Sequence, residues 1–333
     1  GDHRDLHSFP TRRSADLKTQ RLPDRVSIAG DKAYLLNGRC QLQVLDISDP
    51  SAPELFGSLS APDNSLTRWD SMCVVGDRVF LAGWFGVDVI EVSEPKAPRL
   101  IRTTPTQPSE VRAVASADGW LVAGGHKILR MFRLTRAEGP VQCENLAMSG
   151  SVNDIRIRDG YAFVADGACF QVLDVRNPAT PRTVARGEVD GVAEGVRLLD
   201  KYAFVAASFC PDGPVVGRAN RTLCLEGFDI SSPTQPVKVN RSSLTDHNHF
   251  SRFALAGGWA YMLDRYLYPV DLTDLAAPRL VRTPEPRGRT EYRDVCAVSN
   301  LLYVAGSDGL EIRDIGTPSN PTLLGRHPLS STN

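Results

Sequence analysis

The chain has 333 residues, which is the size of one large domain or two ordinary ones. Hydrophobic residues make up 42% and charged residues 23%, as in a globular protein, so wholesale disorder is excluded. The 38 basic and 39 acidic residues give a net charge of −1, which argues against nucleic-acid binding through bulk charge. No apolar run approaches the roughly eighteen residues that a membrane-spanning helix needs, so we expect no transmembrane segment.

The first residues share no pattern with the rest of the chain. Residues 1–17 read GDHRDLHSFPTRRSADL, and FPTRRSADL resembles translated sequencing-adapter sequence. We expect residues 1–17 to be such an artefact or a disordered leader, and residues 18–23 to be a linker or a partial strand. We favour the artefact, and we therefore expect the native N-terminus to be missing.

From residue 24 the chain repeats one unit seven times. The pattern consists of an alternating segment, an apolar segment with one aromatic position, and a segment that in most copies ends in an acid before a Pro-x-x-Pro turn. The acidic position holds Asp46, Glu91, Arg133, Asp174, Asp229, Asp271 and Asp314. The aromatic position is assigned to Tyr34, Phe80, Leu121, Phe163, Phe204, Tyr261 and Tyr303. We expect the aromatic residues to form the core and the acids to accept hydrogen bonds from turn amides.

The repeats predict an all-β fold. Each copy contains four short alternating segments, which in the first copy are about 25–29, 32–36, 41–47 and 54–59. A repeat of about 40–45 residues with four strands is typical of a propeller blade, whose core is completed by its neighbours. We therefore predict one seven-bladed β-propeller over residues 24–330, with four antiparallel strands per blade. The blades are expected at about 24–69, 70–110, 111–152, 153–193, 194–250, 251–292 and 293–330.

Three segments carry a family resemblance. LQVLDISDPSAP, FQVLDVRNPATP and LEIRDIGTPSNP are similar to the LVIVD repeat of bacterial and archaeal propeller proteins. The resemblance extends over essentially everything after residue 24, and it implies a propeller that is often found in surface or exported proteins. It implies no reaction, because the family has no general catalytic motif. The third copy departs most from the pattern, with Arg133 and TRAEGP at the turn, so we expect an irregular blade edge there.

The first strand of each copy is expected to line a central channel. At its mouth we predict a ring of both charge signs, formed by Arg25, Asp70, Arg112, Asp154, Glu194, Arg252 and Asp294. Converging guanidinium groups bind carboxylate or phosphate well, because their fork matches two oxygens. The alternative is that the three arginines pair with Asp154, Asp294 and Glu194 and form no binding site.

Loops after the second and fourth strands of each copy open on one face, and the irregular loops lie there. One is the insertion from Cys210 to Cys224, and another is SLTDHNHFSR, in which His247 and His249 are candidate zinc or copper ligands. A catalytic zinc normally needs three protein ligands, and no third histidine has a matching position, so loop hydrogen bonding is the alternative. Cys210 and Cys224 are also a candidate disulfide, which would favour an oxidising compartment.

The sequence therefore favours a non-enzymatic scaffold, monomeric and without cofactor or nucleic-acid partner. It would recognise a protein or a small polar or anionic ligand through the loop face. One alternative is a metal-dependent hydrolase with a divalent metal at the channel mouth, and another is a passive spacer domain of a larger surface protein. The compartment stays open, with an extracellular, periplasmic or cell-surface location favoured.

Overall fold

The computed structural model describes residues 23–37, 41–61, 69–106, 110–135, 139–167, 169–209, 222–245, 252–263, 266–281 and 291–328. These residues form 26 strands in six antiparallel sheets. The first sheet consists of β1 (Pro23–Ala29), β2 (Lys32–Asn37), β3 (Gln41–Asp46) and β4 (Glu54–Ser60). The second consists of β5 (Trp69–Val75), β6 (Arg78–Gly83), β7 (Gly86–Glu91) and β8 (Arg99–Pro105). The third has six strands, β9 (Val111–Ala117), β10 (Trp120–Thr135), β11 (Gly139–Arg158), β12 (Tyr161–Asp166), β13 (Cys169–Asp174) and β14 (Arg182–Glu188).

The remaining three sheets have four strands each. The fourth consists of β15 (Val192–Leu199), β16 (Tyr202–Phe209), β17 (Thr222–Asp229) and β18 (Val237–Thr245). The fifth consists of β19 (Arg252–Ala256), β20 (Trp259–Leu263), β21 (Leu267–Asp271) and β22 (Arg279–Leu280). The sixth consists of β23 (Tyr292–Val298), β24 (Leu301–Gly306), β25 (Gly309–Asp314) and β26 (Thr322–His327). In the first copy, the four predicted strands are confirmed to within two residues at each end.

The sheets are arranged around an axis as in a propeller. The strands nearest the axis, which we call the inner strands, contact one another in a closed circle in the order β1, β5, β9, β11, β15, β19 and β23. The apolar core lies between neighbouring sheets. For example, Phe170 of β13 packs on Phe228 of β17, with ring centroids 4.9 Å apart. The predicted core role of the aromatic positions is confirmed, because Tyr34, Phe163 and Phe204 are all buried.

The acids at the ends of the third strands make the expected turn contacts. Asp46, Asp229 and Asp271 each accept a hydrogen bond from the backbone N–H two residues later, at 2.8–2.9 Å. Such local side-chain-to-backbone bonds fix the turn that leads to the outer strand. These acids are therefore architectural, as predicted.

The predicted number of blades is wrong. The structure has six blades, counted as hydrogen-bonded sheets, because the third and fourth repeats share one six-stranded sheet. β11 pairs with β10 through its first part and with β12 from Val152 onward, so the hydrogen bonding continues from one repeat into the next. β10 takes the place of the second and third strands of a regular blade. It turns back near Lys127, which has a positive φ. The turn brings the two ends of β10 together, and the N–H of Leu134 donates to the carbonyl of Gly119 at 2.8 Å. This is the repeat that lacks the acid and the double-proline turn.

Buried polar side chains on the third strands anchor the inner strands. Asp88 accepts hydrogen bonds from Trp69 Nε1 at 2.7 Å and from Thr103 Oγ1 at 2.6 Å. Glu311 accepts one from the hydroxyl of Tyr292 at 2.9 Å. Trp69 and Tyr292 are the first residues of β5 and β23, so these bonds fix where the inner strands begin. Among the described residues, no helix has the length and apolarity needed to cross a membrane.

Candidate functional site: a charged central channel

The inner strands surround a cavity of about 460 Å³, which we call the channel cavity. Its volume is in the range of sites for small molecules. The charged residues that line it are Arg25, Arg156, Arg197, Arg252, Asp154 and Asp294. The uncharged polar residues that line it are Ser27, Ser71, Ser116, Cys73 and Cys296. This concentration of guanidinium groups makes the cavity the candidate site.

The structure brings four of the seven predicted ring residues to the cavity and leaves three outside its lining. Arg25, Asp154, Arg252 and Asp294 line it. Glu194 instead accepts a hydrogen bond from Ser208 Oγ at 3.0 Å. Asp70 does not line the cavity but raises the pKa of Arg25 electrostatically.

Arg112 lies outside the cavity because the third repeat is one residue out of the assumed register. Ala113 pairs with Gly124 and occupies the position that Arg25 has in β1, where Arg25 pairs with Leu36. By the same shift, the residue equivalent to Tyr34 is Val122 and not Leu121, because Val122 pairs with Ala115 as Tyr34 pairs with Ser27. A shift of one residue turns a strand side chain to the opposite face. Arg112 forms an exposed ion pair with Glu110 instead.

Asp154 is the most heavily bonded carboxylate of the cavity. Its Oδ1 accepts hydrogen bonds from the Ile155 N–H at 3.0 Å and from Arg156 Nη1 at 2.9 Å. Its Oδ2 accepts one from the Val196 N–H at 3.2 Å and one from Arg197 Nη1. All its strong acceptor directions are therefore in use.

The surroundings of Asp154 favour its ionised form. Burial alone would raise its pKa, but Arg156, Arg197 and Arg252 outweigh burial and lower the pKa to about 2. The neighbouring arginines are in turn less stable in their charged form. Burial and the neighbouring Arg197 lower the pKa of Arg156 to about 10, against the opposite effect of Asp154. The group therefore contains more positive charge than one carboxylate balances.

Several inner strands are joined by one type of contact. Asp154 accepts the Val196 N–H of β15, Asp294 accepts the Val26 N–H of β1 at 3.0 Å, and Ser71 Oγ accepts the Val114 N–H of β9 at 3.3 Å. Each contact runs from one inner strand to the next around the circle. The two cavity aspartates thus also hold the ring together.

Two arginines have donors that no described residue satisfies. The Nε atoms of Arg25 and Arg252 are buried and have no hydrogen-bond partner. Arg25 donates from Nη1 to the carbonyl of Asp24 at 2.6 Å, whereas the Arg252 guanidinium makes no hydrogen bond or ion pair with a described residue. Burial and the charge of Arg252 lower the pKa of Arg25 to about 10. A buried donor without a partner costs free energy, so these atoms favour an acceptor from outside the chain.

Two residues of the site, Arg156 and Arg197, were not predicted. They lie two residues after Asp154 and Gly195, on the same face of their strands. Side chains two residues apart on a strand point to the same face. Applying the channel prediction also to the residue two positions after each ring residue would therefore have found them.

The cysteines of the cavity are protonated thiols. Burial raises the pKa of Cys73 to about 12 and also raises the pKa of Cys296. Thiolates are the nucleophilic form, so neither side chain is suited to covalent chemistry at neutral pH.

The other predicted site residues are not tested. His247, His249 and Cys210 lie outside the described residues, and Cys224 is buried in β17. Within the described ranges, no group of three or more His, Cys, Asp and Glu side chains could hold a metal ion. The histidine site, the disulfide and protein recognition through the loops remain predictions.

Comparison with known families identifies the repeats. The LVIVD repeat matches residues 23–60, 149–186 and 291–327, which correspond to the first, fourth and seventh copies. The chain is a propeller that contains LVIVD repeats at three places. The resemblance read from the sequence is thereby confirmed. No curated protein matches the chain.

Solved structures share the propeller fold of this chain at low sequence identity. A functionally unknown protein from Desulfotomaculum acetoxidans is 11% identical, with 91% of this chain and 96% of that chain covered and a TM-score of 0.66. The WD40 β-propeller domain of Doa1 is 13% identical, with coverages of 88% and 91% and a TM-score of 0.60. BamB from Moraxella catarrhalis is 13% identical, with coverages of 86% and 80% and a TM-score of 0.57. Such identities show the fold alone.

Proposed function

We propose that this propeller is a non-enzymatic recognition module that binds a small anionic ligand in its channel cavity. The observation that carries the proposal is the Arg252 guanidinium, which lines the cavity without a hydrogen bond to any described residue. With Arg252 included, four arginines and two aspartates line the cavity. Both aspartates already accept backbone N–H groups of the next inner strand.

The chemistry of the cavity supports an anion as ligand. A guanidinium presents several donors in a fixed fork that fits carboxylate and phosphate oxygens. An uncompensated charge in a partly desolvated cavity is unfavourable, and an anion would relieve it. The lining contains no activated thiol, which supports binding without covalent catalysis.

Titration calorimetry with acetate, glycerate, inorganic phosphate and glycerol 3-phosphate tests the proposal. We expect one site per chain for at least one of these anions. Arg252→Gln should weaken that binding by roughly 10- to 100-fold, because a hydrogen bond to a charged group contributes about 1.5–3 kcal/mol. Arg112→Gln is the matched control, since Arg112 pairs with Glu110 outside the cavity, and it should bind as the wild type does.

Two results would contradict the proposal. One is that no anion binds at millimolar concentration, which would favour the passive spacer. The other is that Arg112→Gln weakens binding as much as Arg252→Gln, which would place the site elsewhere.

A further inference from the structure

The positive charge of the channel cavity is concentrated on one side. Arg156, Arg197 and Arg252 come from β11, β15 and β19, which are consecutive inner strands. We call these three residues the arginine wall. All three act on Asp154 electrostatically, and the Arg197 guanidinium lies 5.4 Å from the ring centroid of Phe253, next to Arg252. The three guanidinium groups therefore act on the same carboxylate and line the same cavity.

The opposite side of the cavity is more nearly balanced. Arg25 lies there; Arg252 repels it, and Asp294, Asp24 and Asp70 attract it. The other polar groups there are the side chains of Ser27, Ser71 and Cys73, with Cys296 beside them. This side offers uncharged hydroxyl and thiol groups and no surplus positive charge.

Asp154 is the carboxylate that bonds directly to the arginine wall, and Asp294 also attracts Arg156. Asp154 accepts four hydrogen bonds, two from backbone N–H groups and two from Arg156 and Arg197. It forms no hydrogen bond with Arg252, whose buried Nε is unpaired. Over the whole cavity lining, four arginines stand against two aspartates, which leaves a surplus of two positive charges. Three of these arginines form the wall, and one of them has a free donor group.

We propose that the arginine wall binds the dianionic phosphate group of a small phosphate monoester. This inference rests on the proposed function and names its ligand class. A phosphate monoester carries nearly two negative charges at neutral pH and three strong acceptor oxygens, which matches the surplus charge and the three guanidinium groups. A carboxylate supplies one charge and two oxygens. Ser27 and Ser71 on the opposite side suit a hydroxylated remainder of the ligand.

Glycerol 3-phosphate and glycerate are a suitable pair of probes, because both are small and hydroxylated but differ in their anionic group. We expect glycerol 3-phosphate to bind at least tenfold more tightly than glycerate at pH 7.5. The affinity for glycerol 3-phosphate should fall as the pH drops below about 6, where the phosphate dianion takes up a proton and becomes a monoanion. Arg252→Gln should reduce the preference for phosphate severalfold, and Arg112→Gln should retain it.

The outcomes separate this inference from the proposed function. If glycerate binds as tightly as glycerol 3-phosphate at every pH, the phosphate assignment is wrong and anion binding stands. If neither probe nor any other small anion binds, both proposals fail. If Arg252→Gln keeps the full preference and Arg112→Gln loses it, the arginine wall is not the phosphate site.

Discussion

At the scale of single residues, the channel depends on charges that are ionised and buried together. Asp154 shows this most clearly, because four hydrogen bonds and three arginines hold its carboxylate in the ionised form. Its role is structural as well as electrostatic, since it joins β11 to β15. A substitution there should affect the whole ring.

Asp154→Asn removes the charge and leaves Arg156 and Arg197 without their counter-ion. We expect the free energy of unfolding at pH 7 to fall by about 3 kcal/mol, the usual cost of breaking a buried ion pair from one side. Urea denaturation measures this. Asp159→Asn is the control, because the Asp159 side chain is 89% exposed, and its unfolding should be nearly unchanged.

The same carboxylate predicts an acid dependence of stability. Its pKa in the folded protein is about 2, below the ordinary value of 3.8, so folding favours the ionised form. The stabilisation is present above about pH 4 and is lost as the pH falls toward 2, by about 2 kcal/mol in total. Wild-type protein should therefore lose more stability than Asp154→Asn between pH 4 and pH 2. If the free energy of unfolding falls equally in the two proteins between pH 4 and pH 2, this prediction is contradicted.

Two tyrosines provide a second contrast at the residue scale. The Tyr261 hydroxyl is buried without a hydrogen-bond partner, and burial raises its pKa to about 12. The Tyr292 hydroxyl donates to Glu311 and accepts from Arg313 Nη2, both at 2.9 Å. Tyr261→Phe should leave thermal stability unchanged or raise it, because it removes an unpaired polar group.

Tyr292→Phe should instead lower stability by about 1–3 kcal/mol, since it leaves a buried charged network short of one partner. Both variants are compared in one denaturation series. A larger loss for Tyr261→Phe than for Tyr292→Phe would contradict the hydrogen-bond assignment.

At the scale of strands, the outer strands fit closely under the proline turns of neighbouring sheets. A Cβ on Gly325 of β26 would lie 2.2 Å from the carbonyl oxygen of Pro50, and one on Gly57 of β4 would lie 2.6 Å from that of Pro95. Only a residue without a side chain leaves room for these turns. The repeated glycine is thus a packing requirement of the sheet-to-sheet contact.

Gly325→Ala should destabilise the contact between the last and first sheets. We expect a loss of about 1–3 kcal/mol, as is usual for overpacking, because backbone has to move. Leu324→Ala on the same strand is the control, since Leu324 is 44% exposed and should cost little. Equal effects of the two substitutions on the urea midpoint would show that the close approach is unimportant.

The positions of the strands could be predicted well from the sequence, but the pairing of strands from two repeats into one sheet could not. Alternation with period two and the turn chemistry around Asp46 are local, so the first four strands lie where they were expected. The fusion of the third and fourth repeats depends on pairing between β10 and β11, which local pattern does not encode. The segment around Arg112 reads VRAVASA and has apolar residues on both faces, so its register was ambiguous. The surplus charge of the channel required Arg156 and Arg197, which only spatial neighbours bring together.

At the scale of the whole molecule, the ring closes without exchange of strands. β1–β4 all come from the beginning of the described chain and β23–β26 from its end. The closure rests on the Val26 N–H donated to Asp294 and on an apolar cluster that includes Leu35, Tyr303 and Ile312. The channel is therefore assembled only when the ring is complete, so a ligand bound there should stabilise the entire fold.

Ligand-linked stability follows from this arrangement. Glycerol 3-phosphate at about one hundred times its dissociation constant should raise the free energy of unfolding by about 2.7 kcal/mol. Arg252→Gln at the same ligand concentration should gain much less, whereas Arg112→Gln should gain as much as the wild type. Denaturation with and without ligand measures the difference, and equal gains in all three proteins would point to a site outside the channel.

The most direct measurement is a crystal structure of the protein with glycerol 3-phosphate. Binding in the channel predicts tetrahedral density whose oxygens lie within about 3 Å of guanidinium nitrogens of Arg156, Arg197 and Arg252. Ligand density elsewhere on the molecule, with only water beside these arginines, would contradict the proposed site.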